Sequence, residues 1–391
     1  MSETDNAAAT RLVSLLAECV RSDASDLHLS AGCPPMFRIQ GQLTRGQPGQ
    51  PAEQPLLGEA EMERMVAQLL GERTADWSRG AIDGALSADG ARFRFNVFRR
   101  QGLLAVAMRR LEDRFRPLAE LGMPESLYAL SDLRDGLVIV TGPTGCGKST
   151  TLATLLDRVN RSRPCHIVTI EDPVEYIHKP VMSLVHQRQV GSDTPSFNDA
   201  LVASLRQDPD VILVGEMRDI ATMRTALIAA QTGHLVFTTL HAGDCAGAVE
   251  RLVSVFPEGE QDAVRRQLAL VLRAVIAQHL LAALPASGGN HHTDQGSATS
   301  RVPASEVLMV TPAVANLIAS GKTAQIYSAM ESGQTAGMQT LEQDLARLWV
   351  AGRITEPTAV SCARNVSVLR ERAAMLRRRS GHGSASGVDR P

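Results

Sequence analysis

The sequence predicts an α/β protein, a small mixed domain followed by a larger one wound around a parallel sheet. Three observations carry this. Over residues 12–111, alternating apolar and polar runs are broken by glycine turns and flanked by amphipathic helical stretches. From Gly136 the pattern changes to short unbroken apolar runs, "LVIV", "HIVTI", "VILVG" and "LVFTTL", separated by helix-like segments, which is how strands buried on both faces read. Between the first of these runs and the next helix lies "GPTGCGKS" (Gly142–Ser149), a glycine-rich loop of the form G-x-x-x-x-G-K-[ST].

Taken in order, "LVSLLAECV" (Leu12–Val20) has helical apolar spacing. "DLHLS" and "MFRIQGQL" alternate and break at Gly41, as strands around a turn do. Gln47–Pro55 is a Pro, Gly and Gln loop, and "EAEMERMVAQLLG" (Glu59–Gly71) is an amphipathic helix ended by glycine. In Gly84–Leu111, Asp89-Gly90 and Gln101-Gly102 separate three alternating runs and predict an antiparallel meander. Beyond Glu250 the chain reads as mostly helical. "LALVLRAVIAQHLLAAL" (Leu268–Leu284) reads as a buried or partner-facing helix. Arg273, Gln278 and His279 interrupt it, and a spanning helix needs roughly 20 mainly apolar residues. The expected organisation is an N-terminal domain over 1–112, a linker over 113–118 and a sheet domain over 119–284. A polar loop insert over 285–301, a helical region over 302–376 and a disordered basic tail over 377–391 follow.

Composition narrows the class. A length of 391 residues allows two or three domains, and 44% hydrophobic with 21% charged residues is ordinary for a soluble globular chain. A net charge of −2 gives no general attraction to nucleic acid, and 3% aromatics leave little for base stacking, so no nucleic-acid partner is expected. Six scattered cysteines without a C-x-x-C pair argue against zinc ribbons and disulfide frameworks and read as free cytosolic thiols. The acidic opening "MSETDNAAAT" predicts no secretory signal.

The glycine loop carries the first chemistry. Backbone amides of Gly142, Pro143, Thr144, Gly145, Cys146 and Gly147 frame a phosphate cradle, less the proline, which has no N–H. Lys148 reaches the outer phosphates, Ser149 offers a hydroxyl to Mg²⁺, and the helix beginning at Ser149-Thr150 points its positive end at them. The implied ligands are ATP and Mg²⁺. "DPDVILVGEMRD" (Asp208–Asp219) ends a buried strand in Gly215-Glu216. Glu216 can orient or deprotonate an attacking water, or it is a strand-end carboxylate paired with Arg218 or Arg206. "TIEDPVEY" (Thr169–Tyr176) puts Glu171 just past another strand, where it reads equally as an Mg²⁺ contact or as part of an acidic turn. In "TGHLVFTTLHAGD" (Thr232–Asp244), His234 and His241 bracket a strand. Each alone reads as structural; the strand-end position of His241 suits a sensor of the γ-phosphate.

These four boxes, in this order, resemble the secretion ATPase superfamily of type II secretion and type IV pili, and within it the pilus-retraction (PilT-like) branch. "SDLHLSAGCPPMFRIQGQL", "HIVTIEDPVEYIH", "LRQDPDVILVGEMRD" and "GMQTLEQDL" (Gly337–Leu345) carry the resemblance along nearly the whole chain. It implies a PAS-like N-terminal domain and a RecA-like ATPase domain assembled as a homo-hexamer. The ring would sit in the cytoplasm, peripheral at the inner-membrane face, on an integral platform protein; the alternatives are an accessory nucleotide-binding ring working with a paralogous retraction ATPase, or a type II secretion or pilus assembly ATPase. It implies Glu216 as the catalytic acid, Glu171 in the Asp box, and His234 and His241 in the His box. It also implies Arg94 and Arg109 as phosphate-directed cations, although by themselves both read as solvated strand arginines. Two departures stand out. Cys146 replaces the usual serine. The retraction motif A-I-R-N-L-I-R-E corresponds to "AVANLIAS", with Ala315 and Ala319 at the arginine places.

Overall fold

The computed structural model describes residues 3–39, 42–45, 55–71, 77, 80–111, 114–284 and 301–382. They divide into two compact units. In the first, α1 (Glu3–Arg21), β1 (Asp26–Ser30), β2 (Met36–Ile39), β3 (Gln42–Thr44), α2 (Glu59–Leu70), β4 (Ala81–Ala88), β5 (Ala91–Arg100) and β6 (Leu103–Leu111) follow in order. Its six strands form one antiparallel sheet in the order β3-β2-β1-β6-β5-β4. Both meander turns take two residues with positive φ, Asp89 and Gly90 (49° and 78°) and Gln101 and Gly102 (51° and 82°). This is the geometry a right-twisted hairpin prefers. The core is aromatic and sulfur-rich, with Phe37, Phe93, Phe95, Met62, Met65 and Met108 buried. Gly84 faces the Phe95 ring so closely that a Cβ there would lie 2.3 Å from it.

The second unit runs through α3 (Leu118–Leu121), β7 (Gly136–Thr141), α4 (Lys148–Ser162), β8 (His166–Glu171), β9 (Leu184–Gln189), α5 (Phe197–Ser204), β10 (Val211–Val214), α6 (Ile220–Gln231) and β11 (Leu235–Leu240). It continues with α7 (Cys245–Ser254), α8 (Glu258–Val271), β12 (Leu272–Ala282), β13 (Arg301–Met309), α9 (Pro312–Ala319), α10 (Ile326–Ser332), α11 (Leu341–Val350), α12 (Glu356–Cys362) and α13 (Val366–His382). The sheet order is β13-β12-β7-β11-β10-β8-β9, parallel except for the β12–β13 pair. The four apolar runs are β7, β8, β10 and β11, and every residue of β7, β10 and β11 is buried. One face of the sheet packs on α5–α9, the other on α3 and α4.

Three expectations need correction. The run Leu268–Leu284 is not one helix: α8 stops at Val271 and β12 begins at Leu272. A strand between two hydrogen-bonded neighbours, buried on both faces, shows the same continuous apolar run as a buried helix, and only its partners β7 and β13 distinguish it. The region from 302 opens with strand β13, which also takes Arg301 from the expected insert; residues 285–300 lie outside the described residues. Helix α13 extends through 377 to His382, into the stretch expected to be disordered, and 383–391 lie outside the described residues. Strand β9 was not expected. Among the described residues no helix is long and apolar enough to cross a membrane.

Candidate nucleotide site

Parallel strands bring their C-terminal ends to one edge of the sheet, and open α/β sheets bind ligands at that edge. Along it, in neighbouring order, lie Thr141 (β7), Leu240 (β11), Val214 (β10) and Glu171 (β8). The glycine loop leaves β7 there and enters α4. Gly145 and Gly147 have φ of 78° and 94°, and a Cβ on either would meet nothing within 4 Å, so the backbone presents an open concave face. Gly142 is the opposite case: a Cβ there would lie 2.4 Å from the Gln278 carbonyl oxygen, so the loop turns tightly against β12. Lys148 Nζ donates to the Gly142 and Pro143 carbonyls at 2.9 and 3.1 Å, curling its ammonium over the loop. Helix α4 starts at Lys148 with no side-chain cap, leaving its first amides to an anion. Ser149 is exposed and Thr150 half-buried on this first turn. A glycine cradle, a helix N-terminus and a lysine fit a polyphosphate; oxygen donors at Ser149 and Glu171 fit a hard cation such as Mg²⁺.

Cys146 is 2% exposed, and burial raises its thiol above the ordinary range. It fills space beneath the loop as a neutral thiol, which does not favour oxidation.

Glu216 is the centre of charge at this edge. Its Oε2 lies 2.7 Å from Arg218 Nη2, and its Oε1 lies 3.1 Å from His241 Nε2. The Arg218 hydrogen bond, above all other effects, holds its carboxyl below the usual range, against desolvation. Glu216 is therefore ionised throughout the neutral range and a weak proton acceptor. It suits orienting a water by hydrogen bonding, which phosphoryl transfer demands more than outright deprotonation. Gly215 precedes it because the ends of β8 and β10 converge: a Cβ there would lie 3.2 Å from the Ile170 carbonyl oxygen. Glu171 Oε1 accepts from Thr169 Oγ1 (2.6 Å) and Gln187 Nε2 (3.2 Å), which fixes its orientation.

Two site residues escape a sequence reading. Thr141 Oγ1 accepts from the Ala242 amide at 2.8 Å and donates to the Ala242 or Leu240 carbonyl at 3.0 or 3.2 Å, clamping the backbone on both sides of His241 to the phosphate-loop strand. Gln278 is buried against the same strand, and its amide donates to Thr151 of α4. The signal for Gln278 is a polar residue in a mainly apolar strand; Thr141 ends β7, and its partner 101 residues away leaves no local signal.

His234 is not at this edge. It sits at the other end of β11, its Nδ1 donating to the Ala229 carbonyl at 2.9 Å while its own carbonyl accepts from Gly136. Seven residue steps of extended chain lead from it to His241, about 23 Å. Arg94 and Arg109 stand opposite one another on β5 and β6 of the first unit, and Arg109 Nε pairs with Asp26 Oδ1 at 2.8 Å.

Comparison with known proteins shows the family. The family model described as "Type II/IV secretion system protein" matches residues 2–353. The chain is 41% identical over 351 residues to the type IV pilus retractation ATPase PilT of Pseudomonas aeruginosa, covering 89% of this chain and 96% of that protein. It is 40% identical over 338 residues to a twitching motility protein of Neisseria gonorrhoeae, covering 86% of each. It is 37% identical over 358 residues to the type IV pilus ATPase PilU of Pseudomonas aeruginosa, covering 91% and 89%. The crystal structure of the pilus retraction motor PilT with bound ADP superposes with a TM-score of 0.80 at 38% identity, covering 92% of this chain and 98% of that one.

Proposed function

The chain is a PilT-like ATPase of the type II/IV secretion system protein family, and from that premise we propose that it powers retraction of a type IV pilus. The reading is a homo-hexameric ring, cytoplasmic and peripheral at the inner membrane, docked on an integral platform protein and removing pilins from the fibre base. The observation that carries it is the convergence of Lys148, His241, Glu216 and Glu171 at adjacent strand ends, in a chain similar along most of its length to a retraction ATPase.

The loop amides and Lys148 bind the triphosphate. Ser149 would hold Mg²⁺, with Glu171 beside it; when bound, the ion neutralises charge between the outer phosphates. Glu216 orients the attacking water. His241, hydrogen-bonded to Glu216, registers whether a γ-phosphate is present. Arg94 and Arg109 supply positive charge that favours the transition state.

A second reading is supported by α9. Its Ala315 and Ala319 stand one turn apart where the retraction motif has arginines, so that side of the helix lacks cations. In that reading the ring binds nucleotide and works beside a paralogous motor.

Counting surface pili by electron microscopy on cells carrying Lys148→Ala tests the proposal. More pili with twitching lost is the expected result. Few or no pili would reverse the direction of the motor, and an unchanged count would favour the accessory ring.

A further inference from the structure

Three polar side chains in Gly337–Leu345 are almost fully buried: Thr340, Glu342 and Asp344. Thr340 caps α11. Asp344 accepts the Ser305 amide at 2.8 Å and pairs with Arg347. Glu342 acts at longer range. Its Oε1 accepts the backbone amides of Arg364 and Asn365, both at 3.1 Å, and its Oε2 accepts the Tyr327 hydroxyl at 2.9 Å. A buried carboxylate thus fixes the short connection between α12 and α13.

From that anchor the Arg364 guanidinium reaches the loop between β11 and α7, 121 residues away in sequence. Nη2 donates to the Gly243 carbonyl at 3.2 Å and lies 2.9 Å from Glu306 Oε2; Nη1 lies 3.6 Å from Asp244 Oδ2. Glu306, 2% exposed, passes the restraint on through its Oε1, which accepts the Cys245 amide at 2.9 Å. His279 Nε2 donates to the same Gly243 carbonyl at 3.2 Å. Gly243, Asp244 and Cys245 are therefore each held, directly or through Glu306, by one arginine from the C-terminal helices. These residues follow His241, whose imidazole meets Glu216.

We infer that Arg364 is a positioning residue for nucleotide discrimination: anchored by Glu342, it fixes the 241–245 loop so that His241 can meet Glu216 and a γ-phosphate, and it joins α12 and α13 to the nucleotide site. The inference rests on the ATPase reading of that site. Arg364 touches neither phosphate nor water; it acts through His241. Because equilibrium coupling between sites is reciprocal, a nucleotide that displaces His241 also loads the α12–α13 connection.

The test measures affinities for fluorescent ADP and a non-hydrolysable fluorescent ATP analogue in Arg364→Ala, with and without His241→Ala. With His241 present, Arg364→Ala is expected to leave ADP affinity within about twofold and to weaken the analogue about tenfold; with His241 absent, it should change neither by more than about twofold. Arg364→Lys should restore only part of the loss, because an ammonium cannot span the carbonyl and both carboxylates as a guanidinium does. If Arg364→Ala leaves Glu306 unpaired and the chain does not fold, the double variant Arg364→Ala/Glu306→Gln replaces it, removing that charge while keeping an acceptor for the Cys245 amide. Equal weakening of ADP and the analogue, or the same loss with and without His241, would make Arg364 a structural clip and overturn the inference. A wild-type protein that binds neither nucleotide would instead overturn the ATPase reading beneath it.

Discussion

Thr141→Val removes one hydroxyl and almost no volume. The side chain is fully buried, so valine keeps the packing around β7. What disappears is the clamp on Ala242: one bond accepted from its amide at 2.8 Å and one donated to the Ala242 or Leu240 carbonyl. An amide left without a partner costs about 1–3 kcal/mol, and a lost neutral hydrogen bond about 1. Ala242 is only half-buried, so water can reach its amide and the low end applies. The sum is about 2 kcal/mol. For a unit of about 250 residues that corresponds to a fall in Tm of about 4–8 °C. Turnover should suffer more than stability, because the same clamp positions His241 against Glu216. A displacement near 1 Å there costs between about ten- and a hundredfold in kcat. Thermal unfolding with and without ADP, alongside steady-state phosphate release, separates the two effects. A variant whose Tm falls while kcat stays at the wild-type value would refute the argument, because the hydroxyl would then hold the fold and not the histidine.

Glu216→Gln should keep nucleotide affinity and lose turnover in a phosphate-release assay; unchanged hydrolysis would remove Glu216 from its role. Arg218→Ala acts on the same carboxylate by a different route. Since Arg218 is the main cause of the lowered Glu216 pKa, its loss raises that pKa, and the acid limb of the kcat–pH profile should move to higher pH. Linkage has the same sign: the paired carboxylate stabilises the fold above its unfolded pKa, near 4.5, and that contribution fades as pH falls, so acid unfolding of the variant should lose this component. An acid limb that stays in place would show that Arg218 does not tune the reacting carboxylate. Arg109→Ala should lower turnover in assembled rings if the arginine acts on phosphate; full activity would leave it the Asp26 partner alone.

What the sequence disclosed follows from how contacts are spaced along the chain. The phosphate loop was legible because strand, glycines, lysine and helix are contiguous. Glu216 and His241 were legible because strand ends at one edge of a parallel sheet can be found from apolar runs. That His234 and His241 bracket a strand was legible too, since the apolar run between them is β11. Strand β12 was misread because burial on both faces erases the alternation that marks a strand. Thr141, Glu306 and Arg364 were invisible, since their partners lie 101, 61 and 121 residues away and no local pattern connects them.

Strands β12 and β13 pair to their outermost residues, Ala282 opposite Arg301. Partners across an antiparallel ladder have Cα atoms only about 5 Å apart. Whatever chain joins them begins and finishes at nearly one point, and the entropy of closing such a connection grows only logarithmically with its length. For protein engineering this is a natural splice point. A fluorescent domain or an affinity handle inserted between Ala282 and Arg301 would leave the ladder closed, so single motors could be tracked in cells without a tag at either terminus.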